Sequence, residues 1–183
     1  HQNWESILLH LPDRKEPHMR ELTIGYRIPA PLMELAANVL KEAAPGLKPP
    51  SSVRADGESP IFVSADSSLD SLAEVIIEEQ EKADSGNLAI VAANSQIEEI
   101  EALLNKAEII FGHPNRRGLD EQLTVVPVGL VKGLEVDVVV VVEPKKIIEE
   151  QIQGMRALYV ALTRATKRVV VVHAEELPTN MKN

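Results

Sequence analysis

Val136-Asp137-Val138-Val139-Val140-Val141-Val142 is the stretch on which the fold turns, six of its seven residues being valine. β-Branched side chains are stiff at χ1 and pack well on a pleated surface, so the run reads as a strand. Successive strand residues point to opposite faces. Valine on both faces leaves neither for water, which places the strand in a sheet covered on both sides. Leu88–Ala92, Leu123–Val126 and Val169–Val172 are apolar in the same way, and Ile61-Phe62-Val63 is a shorter version.

Amphipathic segments alternate with these runs. Pro29 and Pro31 open a helix, where proline is tolerated in the first turn. Its apolar positions Leu32, Leu35, Ala36, Val39 and Leu40 recur at helical spacing, and Pro45-Gly46 ends it. Asp66, Ser67 or Ser68 caps a second helix with Leu69, Leu72, Ala73, Ile76 and Ile77 as its buried face. Asn94 or Ser95 caps a third that buries Ile97, Ile100, Leu103 and Leu104, and Gln151–Thr163 forms a fourth with Met155, Leu158, Tyr159 and Leu162 on one face. Short strands are expected at Glu21–Arg27 and Ile109–Phe111, the last strand at Arg168–His173, and loops at 47–60 and 112–121. The pattern is that of an α/β domain, a mostly parallel sheet between helix layers. Residues 21–176 form that domain, 1–20 a connecting segment, and 177–183 a tail expected to fray.

The chain has 183 residues, 44% hydrophobic and 26% charged, enough for one complete core. No apolar run approaches the ~20 residues of a membrane-spanning helix. Cysteine is absent, which excludes disulfides, thiolate metal sites and a cysteine nucleophile. The start, His1-Gln2-Asn3-Trp4, lacks a secretory-signal pattern, so a cytoplasmic location is expected, and without an initiating methionine the chain reads as a piece of something longer. Net charge is −9, from 19 basic and 28 acidic residues, which lowers the expectation of a stand-alone nucleic-acid binder. The acid excess falls mostly between Ile61 and Ile110, whereas Lys145, Lys146, Arg156, Arg164, Lys167 and Arg168 cluster toward the end.

A covered α/β sheet invites a nucleotide, yet the sequence contains neither G-x-x-x-x-G-K-[ST] nor G-x-G-x-x-G. H-E-x-x-H and G-x-S-x-G are absent too, and His1, His10, His18, His113 and His173 form no metal-ligand pair. A self-contained enzyme is not expected.

Three separated segments remain: Gly25-Tyr26-Arg27, Val131-Lys132-Gly133-Leu134-Glu135-Val136-Asp137 and Leu158-Tyr159-Val160-Ala161-Leu162-Thr163-Arg164-Ala165. In order and spacing they resemble motifs IV, V and VI of superfamily I helicases of the UvrD/Rep type, which usually read N-Y-R, K-G-L-E-F and Y-V-A-x-T-R-A. The L-V-K-G-L-E and A-L-Y-V-A-L-T-R-A-T wording is nearest to the helicase IV-like (HelD-like) branch. So is the spacing, since Arg27 and Lys132 are separated by too few residues for a large inserted helical domain. The Y-V-A-L-T-R-A-T block is the most specific of the three, and the resemblance spans Glu21 to His173.

The resemblance implies a RecA-like three-layer sandwich, a P-loop NTPase-type fold without its own phosphate loop. It would be the second, C-terminal RecA-like domain of the motor, inactive as an isolated piece. ATP with Mg²⁺ would bind only together with an N-terminal RecA-like domain that holds the phosphates. Arg27 and Arg164 match the arginines that meet the γ-phosphate, Tyr26 the ring that stacks on adenine, and Glu135 the residue that hydrogen-bonds the ribose. Guanidinium suits that task, being planar, multidentate and always charged. Plainer readings stand beside these. Arg27 can be a surface arginine, Arg164 a complement to its helix dipole, Tyr26 a core residue, and Glu135 the partner of Lys132. Tyr159 reads as core, and Gly133 as the freedom in a turn.

The sequence also departs from the family pattern. Where motif V commonly places a Thr and a His that touch the DNA strand stand Pro127 and Gly129; Val136 replaces the usual Phe, and Gly25 the Asn. The function that the resemblance implies is an ATP-dependent helicase or translocase acting on single-stranded or duplex DNA, whereas these replacements and the acidic charge favour a protein target. Two alternatives are an ATP-driven remodeller with RNA polymerase or another protein as its partner, and a non-catalytic scaffold.

Overall fold

A computed structural model describes residues 28–47, 52, 54–65, 71–114 and 121–182. The expected strand at Glu21–Arg27, the connecting segment 1–20, and the caps Asp66, Ser67 and Ser68 with Leu69 lie outside these residues. Helix α1 spans Ala30–Ala43, β1 Ile61–Ser64, α2 Leu72–Ala83, β2 Leu88–Ala92, α3 Ile97–Lys106, β3 Leu123–Pro127, β4 Val136–Val142, α4 Pro144–Glu150, α5 Gly154–Leu162 and β5 Ala165–His173. The five strands form one sheet in the order β1-β5-β4-β2-β3, every pair parallel. The valine strand β4 is central, as its two apolar faces require.

Strand alternation sorts the core into two halves. Ala89, Val91, Val139, Val141, Val169 and Val171 face α1, α4 and α5, where Leu32, Ala36, Ile147, Leu158 and Leu162 are buried against them. Leu88, Ile90, Val138, Val140, Val170 and Val172 face α2 and α3, packing on Leu72, Ile76, Ile100 and Leu104. The result is a three-layer α/β sandwich. Among the described residues no helix is long and apolar enough to cross a membrane.

Several expectations are corrected. The buried face of α2 is Leu72, Val75, Ile76 and Glu79, so Ile77 lies off it, 47% exposed. The helix is rotated to bring the Glu79 carboxylate to Arg168 on β5, with Nη2 at 2.7 Å and Nε at 2.9 Å. Neither Asn94 nor Ser95 caps α3 through its side chain; a 3₁₀ turn at Asn94–Gln96 precedes the helix, and the Ser95 hydroxyl donates to Glu150 instead. Ile109–Phe111 is not a strand. The chain leaves α3 through Glu108 at φ 58° and touches β3 through a single bridge, Gly112 to Thr124, leaving Ile110 73% exposed.

The helix expected over Gln151–Thr163 begins at Gly154, and a separate helix, α4, precedes it. Gln151 is extended, which separates the two. A Cβ at Gly154 would stand 2.2 Å from the Ile148 carbonyl oxygen, so glycine permits the close approach at which α5 starts. Strand β5 starts at Ala165, earlier than Arg168, because Ala165 pairs with Val136 ahead of a register shift in β4. The tail, rather than fraying, forms a 3₁₀ turn at Thr179–Met181, with Met181 buried in the α1 side of the core.

Candidate functional site

Arg164 sits in the turn between α5 and β5. Helix α5 ends there because its last carbonyls are taken locally: the Thr163 N–H donates to Tyr159 and Val160, and the Arg164 N–H to Ala161. The Arg164 side chain folds back, Nε donating to the Val160 carbonyl at 3.0 Å and Nη2 to the Thr163 hydroxyl at 3.0 Å. A guanidinium at a helix C-terminus satisfies an orphan carbonyl and complements the dipole. It is half-buried, so its plane is set by the helix while it borders the surface.

Glu135 stands at the start of β4, exposed, behind the turn that Gly133 makes at φ 83°. That left-handed conformation favours glycine. The Val136 N–H donates to the Arg164 carbonyl at 3.1 Å, so the segments carrying Glu135 and Arg164 are joined backbone to backbone at the N-terminal ends of β4 and β5. Asp137 follows, its carboxylate near the Thr166 hydroxyl at 3.4 Å and the Lys167 ammonium at 3.6 Å.

Tyr26 and Arg27 lie outside the described residues. The residue that follows them, Ile28, is buried at the start of α1, and its carbonyl accepts the Ser52 hydroxyl at 2.6 Å. The Ala30 N–H donates to the Arg54 carbonyl at 2.9 Å. Arg54 Nη1 in turn donates to the Thr166 carbonyl at 2.9 Å, while Nε and Nη2 grip the two Asp56 oxygens at 3.2 and 3.1 Å. The start of α1 thus lies beside the start of β5. The Asp56 hydrogen bond raises the Arg54 pKa, and Arg54 holds the Asp56 carboxyl below the usual carboxylate range.

The sequence reading missed Ser52, Arg54, Asp56 and Gly57, which fall in a stretch with no periodicity. An Arg and an Asp two apart in a loop are a weak local signal, and a bond from Arg54 to Thr166 across 112 positions has none. Tyr159, read as core, is half-buried against the α1 side of the sheet.

Among the described residues, the opposite ends of the strands hold carboxylates bonded within the fold, beside Lys145 and Lys146 at the start of α4. Glu143, after β4, is buried in a left-handed conformation at φ 48°, and its carboxylate accepts the Ala174 N–H and, at 3.4 Å, the Glu175 N–H. Glu150 accepts the Ser95 hydroxyl and N–H after β2. An open groove of about 510 Å³ between Ile77, Gln80, Ile110 and Glu121 includes none of the motif residues. Among the described residues no group of three His, Cys, Asp or Glu side chains could hold a metal ion. What this edge offers a ligand is a partly anchored guanidinium and an exposed carboxylate on adjoining backbones. Such a pair can contact an anion and a hydroxyl brought up from outside.

Residues 122–172 match the family model of the UvrD-like helicase C-terminal domain, an interval that runs from β3 through β5 and includes both Glu135 and Arg164. No curated protein sequence matches the chain. Among solved structures, it is similar to the C-terminal domain of a possible DNA helicase from Lactobacillus plantarum WCFS1, with 19% identity, 85% of this chain and 91% of that chain covered, and a TM-score of 0.65. That likeness is one of fold, the α/β sandwich of a RecA-like helicase C-terminal domain. A weaker likeness is to the Sulfolobus solfataricus SWI2/SNF2 ATPase core solved with dsDNA, with 15% identity, 62% of this chain and 27% of that chain covered, and a TM-score of 0.46.

Proposed function

We propose that this chain, whose residues 122–172 match the UvrD-like helicase C-terminal domain model, is the second RecA-like motor domain of an ATP-dependent superfamily I helicase or translocase, cytoplasmic and acting on DNA. In this reading an N-terminal RecA-like domain of the full-length protein holds the phosphates and Mg²⁺, and the present domain closes onto them with its N-terminal sheet edge. Bound ATP would favour the closed arrangement, and its hydrolysis by water to ADP and phosphate would release it. Arg164 offers guanidinium donors to the transferring group; Glu135 accepts from a sugar hydroxyl. Arg27 and Tyr26 are assigned the second cation and the base-stacking ring from the motif they match.

The observation that supports this most is the anchoring of Arg164. Two of its nitrogens are tied to the last turn of α5, which limits the reorganisation needed to meet a developing charge. An arginine acting as a finger is worth about 10³–10⁵ in rate. Arg164→Ala in the full-length protein should therefore lower kcat for DNA-stimulated ATP hydrolysis about 10³-fold, with KM for ATP little changed. Arg164→Lys should not restore it, since an ammonium lacks the planar set of donors. Turnover within a few-fold of the parent would remove Arg164 from the site and leave it as a helix-capping side chain.

A further inference from the structure

We propose that Arg54 is a positioning residue for this ATP site: it fixes the start of α1, which follows Tyr26 and Arg27 in the chain, against the start of β5, which follows Arg164. The inference rests on the function proposed above and adds a residue that the motifs do not contain.

Three features single out Arg54. The first is its reach. Strand β1 pairs with β5 only from Val170 onward, so the stretch from Ala165 to Val169 has no strand neighbour on that side among the described residues. Arg54 fills the gap with one donor, Nη1 to the Thr166 carbonyl at 2.9 Å. The second is the bidentate grip of Asp56, which sets the guanidinium plane so that the remaining nitrogen points across to β5. The third is the way its loop is clasped to α1. Ser52 accepts the Arg54 N–H at 3.0 Å and donates to the Ile28 carbonyl at 2.6 Å, and the Arg54 carbonyl accepts the Ala30 N–H at 2.9 Å. Gly57, at φ 120°, lies so close to Pro29 that a Cβ there would stand 2.3 Å from the Pro29 Cβ.

The links then run on without a break. The Thr166 hydroxyl donates to the Val136 carbonyl at 3.3 Å, and the Val136 N–H donates to the Arg164 carbonyl at 3.1 Å. Segments that flank all three motifs are thus joined through the side chains of Ser52, Arg54 and Thr166. A residue needed only to shape its own loop would be satisfied by Asp56; the bond to Thr166 has no local use. Phosphoryl transfer is sensitive to placement, and a displacement of about 1 Å in a positioning group can lower the rate on the order of 10²-fold.

The test uses the full-length protein. Arg54→Ala should lower kcat for ATP hydrolysis on the order of 10²-fold, while KM for ATP and affinity for ADP stay within about threefold. Affinity for ADP with aluminium fluoride, which mimics the transferring phosphoryl group, should fall with kcat. Arg54→Lys, which keeps one donor for Thr166 and loses the grip on Asp56, should recover part of the rate. A purely structural role would instead lower melting temperature and the active fraction, leaving kcat per folded molecule and aluminium fluoride affinity unchanged; that result overturns the proposal. If Arg54→Ala does not fold, Asp56→Asn takes its place, with a smaller kcat loss expected at unchanged KM and an unchanged kcat counting against Arg54. Arg164→Ala is measured alongside. If it lowers kcat and the Arg54 variants do not, only the role of Arg54 falls; if it too leaves kcat intact, the site itself is misassigned.

Discussion

The two ends of the sheet use their charged groups differently. At the C-terminal ends of β2, β4 and β5, carboxylates close the structure on itself: Glu143 holds the N–H groups after β5, and Glu150 holds Ser95 after β2. Open α/β sheets usually bind ligands at this end, but an approaching phosphate would here meet carboxylates already in use. At the N-terminal ends of β4 and β5 the arrangement is reversed. Arg164 and Arg54 are anchored by neutral carbonyls, a hydroxyl and Asp56, and lie on backbones that adjoin one another. One end is finished internally and stabilises the fold; the other is an edge whose groups suit a second body.

Substitutions at the two ends should separate these roles. The largest contrast is between Arg164→Ala, with its loss of about 10³ in turnover, and Glu143→Ala, which should leave the turnover of folded protein unchanged. Glu143→Ala instead removes the carboxylate that accepts from the Ala174 and Glu175 N–H groups, at about 1 kcal/mol, read as a lower midpoint in thermal or urea unfolding. Glu143→Gly should be milder than Glu143→Ala by up to about 1 kcal/mol, since the position is left-handed and glycine adopts that conformation freely. A drop in kcat per folded molecule for either Glu143 variant would break the comparison.

A smaller effect is expected within the crossover from β3 to β4, where Gly129 and Gly133 both have open space around a notional Cβ. Gly133 has φ 83° and Gly129 does not share that conformation, so Gly133→Ala should lower stability by about 1–2 kcal/mol and Gly129→Ala by less than about 0.5 kcal/mol. Equal costs would mean that packing, not backbone conformation, sets the glycine at 133.

The smallest effect is one of pH. The Asp56 carboxyl is held below its usual range by Arg54, so its contribution to stability is complete above the ordinary carboxylate value. It is lost as pH falls through the lowered folded-state value. Asp56→Asn should flatten that part of the melting-temperature profile below the ordinary carboxylate value and leave the neutral region as it was; a parent profile with no slope there would deny the pair any part in stability.

The sheet was legible because β2, β3, β4 and β5 are apolar on both faces, a pattern that only a doubly covered strand satisfies. The motif segments were legible because K-G-L-E and Y-V-A-L-T-R-A-T are local words. What escaped was set by tertiary partners. Ile77 looked buried by spacing, but α2 turns Glu79 inward to meet Arg168, three strands of sequence away. Ile109–Phe111 has strand composition and meets β3 at one bridge only, because the backbone turns at Glu108. The break at 151–153 depends on how closely Gly154 approaches Ile148. Of the four expected site residues, Glu135 and Arg164 are found on adjoining backbones, whereas Tyr26 and Arg27 fall outside the described residues.

The most direct test of the motor-domain account is a structure of the full-length protein with ADP and aluminium fluoride. The account expects the Arg164 guanidinium within hydrogen-bond distance of the fluoride group, with the N-terminal ends of β4 and β5 facing the nucleotide. A nucleotide lying instead at the C-terminal ends of the strands, with the Arg164 guanidinium out of reach of the fluoride group, would contradict it.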